Sequence, residues 1–150
     1  VLSRNFWTVQ NNWMANVTTR YGSEDAAILD EMLWAKWPGV EAYRFKKLFQ
    51  LGSGLSDVLK VMTLSLAAEE GPTSEYLQED EKRLTFRVTH CPMQLKRIEQ
   101  GWEELNCKPA FAAMWKAVVN VINPEIRITQ VYAPLDPHTK SDWCGVVLEL

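Results

Sequence analysis

The spacing of apolar residues changes near Pro72, and this change limits the folds that the chain can adopt. Before Pro72, apolar residues recur three and four positions apart, as the buried face of a helix requires. After Pro72, short segments alternate apolar and polar residues, as half-buried strands do. A chain of 150 residues is the size of one ordinary domain. We therefore predict a single α+β domain over 1–150, with a helical part over 1–72 and a sheet-containing part over 73–150.

The helical part divides into four predicted helices at glycine and proline positions. Three cover 2–21, 24–37 and 40–51, and the fourth begins at Leu55 and ends near Gly71-Pro72. The second of these helices is apolar on several sides, which predicts burial in the core or against another chain. The buried stripe of the first helix is predicted to contain Leu2, Phe6, Val9, Trp13 and Val17, with Trp7 and Met14 on a second face toward a ligand or a partner.

The sheet-containing part is predicted to follow the order β-β-α-α-β-β in one antiparallel sheet. Its first two strands form a hairpin around a polar turn, and proline marks the start of both helices. The predicted strands are 74–79, 83–89, 125–132 and 142–150, and the predicted helices are 92–100 and 109–122.

Three cysteines and a histidine lie at the ends of these predicted elements. Counting along the strands places His90 and Cys144 on the apolar side of the sheet. Pro92 suits the first position of a helix, which makes Cys91 the predicted N-cap, where free amides and the helix dipole favour a thiolate. Cys107 lies one residue outside the next predicted helix start. We expect the fold to bring the three thiols into a shared site.

Three hypotheses account for the cysteines. Free cysteine commonly packs as a small buried hydrophobe, which requires no function. In the second hypothesis Cys91 is a nucleophile or redox thiol with His90 or another base nearby, although adjacent residues of a strand point apart. In the third, Cys91, Cys107 and Cys144 with His90 bind a soft metal such as zinc, although their spacing matches no standard zinc motif.

Tryptophan is frequent, with seven residues in the chain. Large aromatic side chains commonly fill cores, but they also line pockets for apolar or planar ligands. Asp30 lies four positions before Trp34, in an acidic segment that suits a helix start without any catalysis. We predict a ligand pocket floored by the sheet and lined by Trp7, Trp13, Trp34, Trp115, Cys107 and Cys144.

Composition and missing motifs exclude several functional classes. A net charge of −3 argues against a nucleic-acid binder, and no apolar run reaches the length of a membrane span. An odd number of cysteines does not form a disulfide framework, so we expect reduced thiols and a cytoplasmic location. The chain contains no glycine-rich phosphate loop, no nucleophile-elbow motif and no paired-histidine zinc helix.

Four segments carry a resemblance to a known group of proteins. They are LDEMLWAKWPGVEAYRFKKLF, FRVTHCPMQLKRIEQGW, CKPAF and DWCGVVLEL. Together they resemble an uncharacterised bacterial and archaeal family related to the L-2-amino-thiazoline-4-carboxylic acid hydrolase-like proteins. More distantly, the order β-β-α-α-β-β with a cysteine before its first helix resembles vinyl-reductase-type small-molecule-binding domains.

The resemblance implies helices packed on an antiparallel sheet, a pocket between them and a homodimer. It also implies hydrolysis of a C–N or C–S bond in a small thiazoline-like ring, for which Cys91 and His90 are the candidate catalytic residues. Such relatives carry a further cysteine where this chain has VYAPLDP, so a four-ligand metal site requires His90 or His138 instead. The alternatives are a non-catalytic ligand or soft-metal sensor and a subunit of a larger assembly.

Overall fold

The computed structural model describes residues 1–66 and 73–150. Its helical part contains α1 (Leu2–Tyr21), α2 (Ser23–Trp34), α3 (Trp37–Leu48) and α4 (Leu55–Leu64). The remainder contains β1 (Thr73–Asp80), β2 (Arg83–His90), α5 (Pro92–Glu99), α6 (Lys108–Ile122), β3 (Arg127–Tyr132) and β4 (Cys144–Glu149). The predicted α+β class and the order β-β-α-α-β-β are confirmed. The helix end predicted near Gly71-Pro72, and the predicted boundary after it, involve positions outside the described residues.

The four strands form one antiparallel sheet in the order β1-β2-β4-β3. The last strand of the chain is therefore central, between β2 and β3. In β2, the side chains of Leu84, Phe86 and Val88 are buried and alternate with half-buried ones, as a strand with one core-facing side requires. Central β4 is buried at four consecutive positions, from Gly145 to Leu148.

Helix α6 packs against the buried face of the sheet and forms the centre of the core. Trp115, Val118 and Ile122 of α6 belong to one cluster with Leu84 and Leu148 of the sheet. Residues of α3 and α4 complete this cluster, because both helices pack on α6. The core thus lies between the sheet and three helices, as a two-layer domain requires.

The ammonium group of Lys46 on α3 closes the C-terminal end of α6. Its Nζ donates hydrogen bonds to the carbonyl oxygens of Val121 at 2.9 Å and Ile122 at 2.8 Å. The last carbonyls of a helix have no partner within the helix, and a cation beside them is favourable. Lys46 therefore ties α3 to the end of α6 that lies farther from Cys107.

Helix α1 buries a different face from the predicted one. Leu2, Val9 and Trp13 are exposed, so the predicted stripe is wrong at these positions. Gln10 is buried instead, because its amide donates to the Asp30 carboxylate across the interface with α2. The buried residues of α1 are Ser3, Trp7, Gln10, Met14 and Val17.

Helix α2 packs against α1 and α6 with one face only. Ala26, Asp30 and Trp34 are buried there. Of the two predicted alternatives, burial in the core applies to this face only, because the opposite face is accessible, and burial against another chain stays a prediction. That exposed apolar face consists of Ile28, Leu29, Met32 and Leu33.

Candidate binding cavity

A cavity of about 140 Å³ lies between the N-terminal helices, α6 and the sheet. The sheet contributes Phe86 and Val88, and α6 contributes Ala110, Phe111 and Met114. The lining is mostly apolar because these elements turn their core-facing residues toward it. An engineered apolar cavity of about 150 Å³ in another protein binds benzene. The cavity is therefore large enough for a small organic molecule.

Indole rings form one end of the cavity. Trp7, Trp34 and Trp37 all line it. The ring centroids of Trp7 and Trp34 are 6.4 Å apart, and those of Trp34 and Trp37 are 5.4 Å apart with the planes nearly perpendicular. Phe6 stacks on Trp37 with a centroid distance of 4.9 Å. These contacts fix the rings by edge and face packing, so this wall of the cavity is built before any ligand arrives.

Two of the predicted pocket tryptophans lie elsewhere. Trp13 is 38% exposed and Trp115 is fully buried, and neither lines the cavity. Trp13 lies outside because α1 turns its Trp7 face inward. Trp115 contacts the ring of Phe86 beneath the cavity, with centroids 4.9 Å apart. Trp143, which the sequence did not single out as a pocket residue, lines the cavity instead.

All three cysteines line the cavity from three different elements. Cys91 is the N-cap of α5, and Cys107 is the N-cap of α6, one position closer to the helix than predicted. Cys144 begins β4 and pairs across the sheet with Val88. Helix starts and a strand start therefore surround the same space, because the turns that begin these elements meet at one end of the sheet.

The thiols are in a setting that favours their neutral form. Burial raises the pKa of Cys91, even though the amides of Gln94 and Met93 act in the opposite direction. Burial also raises the pKa values of Cys107 and Cys144 far above the ordinary value. The expected thiolate at Cys91 is therefore corrected: removal from water outweighs the helix start.

Neither histidine lies with the cysteines along the cavity. His90 is exposed at the end of β2, since the buried face of that strand ends at Val88 and Cys91 is the next buried residue. The expectation that His90 faces the apolar side is therefore wrong. His138 packs against the ring of Trp143, with a centroid distance of 4.8 Å, and its Nε2 lies 2.9 Å from Oε2 of Glu104.

The described part of the chain contains no group of three or more His, Cys, Asp or Glu residues that is arranged to hold a metal ion. Cys91, Cys107 and Cys144 line one cavity, but they do not form such a group. This arrangement gives the predicted zinc site at these cysteines no support, and the site stays a prediction.

Gln94 holds the segment that leads into α6. Its side chain is almost fully buried and forms two hydrogen bonds with the backbone of Leu105: Nε2 donates to the carbonyl at 2.8 Å, and Oε1 accepts from the amide at 3.0 Å. The same Nε2 lies 3.0 Å from Sγ of Cys107. Gln94 thus positions Cys107 in the cavity wall, a role that no local sequence signal reveals.

Asp30 supplies the carboxylate of the indole end. The residue is 6% exposed and lines the cavity. Its Oδ1 accepts hydrogen bonds from Gln10 Nε2 at 2.8 Å and from Trp34 Nε1 at 3.0 Å. Burial raises the pKa of Asp30 to about 6, against the effect of the two hydrogen bonds. The spacing of Asp30 and Trp34, one helical turn apart, is the sequence signal for this contact.

A second polar atom at this end is Nε1 of Trp7. It is buried and has no hydrogen-bond partner among the described residues. Buried donors normally have a partner, and leaving one without costs about 1–3 kcal/mol.

A family model matches residues 2–150. The chain belongs to the family of unknown function DUF6125. No curated protein and no solved structure matches the chain. The description of this family names no reaction and no ligand, so the resemblance to the thiazoline hydrolase-like proteins stays a prediction.

Within the described residues, no helix combines the length and the apolar character that crossing a membrane demands.

Proposed function

We propose that this protein binds a small, mostly apolar organic molecule in the cavity between its N-terminal helices and its sheet. The observation that carries the proposal is the cavity itself, whose mostly apolar walls include the buried carboxyl residue Asp30 at one end. Binding sites for small molecules commonly combine apolar walls with a few polar groups that orient the ligand. Trp7, Trp34, Cys107 and Cys144 are the predicted ligand residues that line this space.

Filling the cavity tests the proposal. Ala110 is buried in the first turns of α6 and packs with Trp7 and Trp34. We expect Ala110→Phe to weaken the binding of toluene by about tenfold or more, because the added ring occupies the space of the probe. Binding is measured by ligand-detected NMR, and circular dichroism verifies the fold. Wild-type affinity for toluene in a folded Ala110→Phe protein contradicts the proposal.

The matched control is Ala112→Phe. Ala112 lies on the same helix, is half-buried and does not line the cavity. This variant adds the same ring and keeps toluene binding if the cavity is the site. Met114→Trp fills the cavity from a half-buried position and replaces Ala110→Phe if that variant unfolds.

Hydrolysis of a thiazoline-like ring stays a prediction of the resemblance. The proposed mechanism required a Cys91 thiolate beside His90. The burial of Cys91 and the exposure of His90 give that pair no support. We therefore place binding before catalysis in the proposed function, with the thiols as part of the cavity wall.

The homodimer and the cytoplasmic location also stay predictions. The exposed apolar face of α2 supports the former, since accessible apolar patches often mark contacts between proteins.

A further inference from the structure

The carboxylate of Asp30 keeps one oxygen without a hydrogen-bond partner. Gln10 and Trp34 both donate to Oδ1, and no hydrogen bond among the described residues reaches Oδ2. No lysine, arginine or histidine in the described ranges forms an ion pair with Asp30. A carboxylate that lies in a cavity wall with only neutral partners is unusual, because buried charges are normally paired.

The groups around Asp30 suit a positively charged ligand. Indole rings attract cations through their faces, and three indoles line this end of the cavity with Asp30. Carboxylates also form strong, charge-assisted hydrogen bonds with ammonium groups. The rest of the lining, from Phe86 to Met114, suits an apolar body.

We propose that the ligand of this cavity is a small apolar amine, bound as its ammonium form with Asp30 as the counter-ion. The inference rests on the proposed function, because it assigns a chemical class to the occupant of the same cavity. A purely structural role for Asp30, as the link between Gln10 of α1 and Trp34 of α2, predicts no preference for charge. The two explanations therefore differ in whether the cavity binds a cationic ligand more tightly than a neutral one of the same shape.

The test compares three probes of nearly the same shape: benzylamine, benzyl alcohol and toluene. At about pH 7.5 the amine is protonated, whereas the alcohol and the hydrocarbon are neutral. We expect wild-type protein to bind benzylamine at least about tenfold more tightly than benzyl alcohol, as one charge-assisted hydrogen bond implies. Affinities are measured by ligand-detected NMR titration, with displacement by toluene to show a shared site.

Asp30→Asn removes the charge and keeps an oxygen for Gln10 and Trp34. We expect its ratio of benzylamine to benzyl alcohol affinity to fall to about one, with toluene affinity unchanged. The matched control is Glu41→Gln. Glu41 is a second carboxylate in the cavity wall, but its oxygens accept from Ser65 Oγ at 2.6 Å and from the amide of Leu66 at 3.0 Å. The control keeps the wild-type ratio.

Different results separate this inference from the proposed function. If toluene binds the wild-type protein but the ratio of benzylamine to benzyl alcohol affinity is near one, the amine assignment is overturned and the proposed function stands. Failure of all three probes to bind the wild-type protein overturns both. An unchanged ratio in folded Asp30→Asn, or a lost ratio in Glu41→Gln, assigns the selection to a group other than Asp30 and overturns the inference. The wild-type comparison needs no variant, so a misfolded Asp30→Asn protein does not remove the test.

Discussion

Asp30 is buried, while Glu24, Asp25 and Glu31 of the same helix are exposed. Its position on the inner face of α2 removes it from water, and burial favours the protonated acid. The pKa of about 6 lies above the ordinary value of 3.8. Between these two values the folded chain binds more protons than the unfolded chain, so the free energy of unfolding rises as the pH falls.

We therefore expect Asp30→Asn to stabilise the ligand-free protein at neutral pH. The gain is up to about 3 kcal/mol at pH 7.5, since two pKa units correspond to about that free energy, and it disappears as the pH falls from about 6 to about 4. Urea denaturation across this pH range measures it. Cys107 lies near Asp30, and burial raises its pKa, so its thiol stays neutral across this pH range.

Glu31→Gln is the control for this prediction, because Glu31 is exposed on the same helix. It leaves the pH profile close to that of the wild type. If Asp30→Asn lowers the free energy of unfolding at pH 7.5, the prediction is contradicted. The hydrogen bonds of the Asp30 carboxylate then stabilise the fold by more than the burial of its charge destabilises it.

At the scale of elements, Gly145 allows β3 and β4 to pair closely. Tyr132 is its cross-strand partner, and the tyrosine ring lies over the glycine. A Cβ atom at Gly145 would lie 2.6 Å from ring atoms of Tyr132. Oη of Tyr132 donates to Oδ1 of Asp142 at 2.6 Å and holds the ring in place. The pairing of edge strand β3 with central β4 thus depends on one position without a side chain.

Gly145→Ala is expected to lower the free energy of unfolding by about 1–3 kcal/mol, because the ring and the strand must move apart. Urea denaturation gives the change. Combining it with Tyr132→Ala removes the clash, so the double variant loses less stability than the sum of the single variants. Additive losses would show that the ring is not the obstacle.

The order of elements could be predicted because it depends on the period of apolar residues, which changes from helical to alternating along the chain. The inward face of α1 could not be predicted in this way. The spacing of apolar residues predicts that Val9 and Trp13 are buried, whereas the structure buries Gln10 and exposes both. A hydrogen bond to Asp30, 20 positions away, decides that face. Long-range polar contacts of this kind leave no local signal.

Part of the cavity could also be predicted. Proline after Cys91 predicts a helix start, and the structure has the N-cap there. The direction of the pKa of Cys91 could not be predicted, since it depends on how much of the chain covers the thiol. His90 continues the alternation of β2 and pairs with Thr73 at the end of that strand, but its side chain is exposed to solvent there.

At the scale of the whole molecule, the outer face of α2 is the clearest candidate for a contact between copies. Ile28 is 50% exposed and Met32 is 56% exposed, one turn apart on the same helix. Apolar side chains so placed gain free energy when a second surface covers them. The arrangement is consistent with the homodimer that the resemblance implies.

We expect light scattering coupled to size-exclusion chromatography to give twice the 17.2 kDa of one chain. Met32→Lys shifts the protein to the monomer, because a charge in an apolar contact has to be desolvated. Thr19→Lys adds the same charge at an exposed position of α1 and keeps the dimer. A wild-type monomer at tens of micromolar, or a Met32→Lys dimer, argues against this face.

The cavity has walls from both parts of the chain, with Trp7 and Trp34 on one side and Phe86 and Cys144 on the other. Under the proposed function, an occupant contacts both the helical part and the sheet, so it stabilises the contact between them. By linkage, a molecule at a hundred times its dissociation constant adds about 2.7 kcal/mol to the free energy of unfolding. If the proposed function holds, ligand-bound and ligand-free preparations of the protein differ in stability, and their melting temperatures distinguish them.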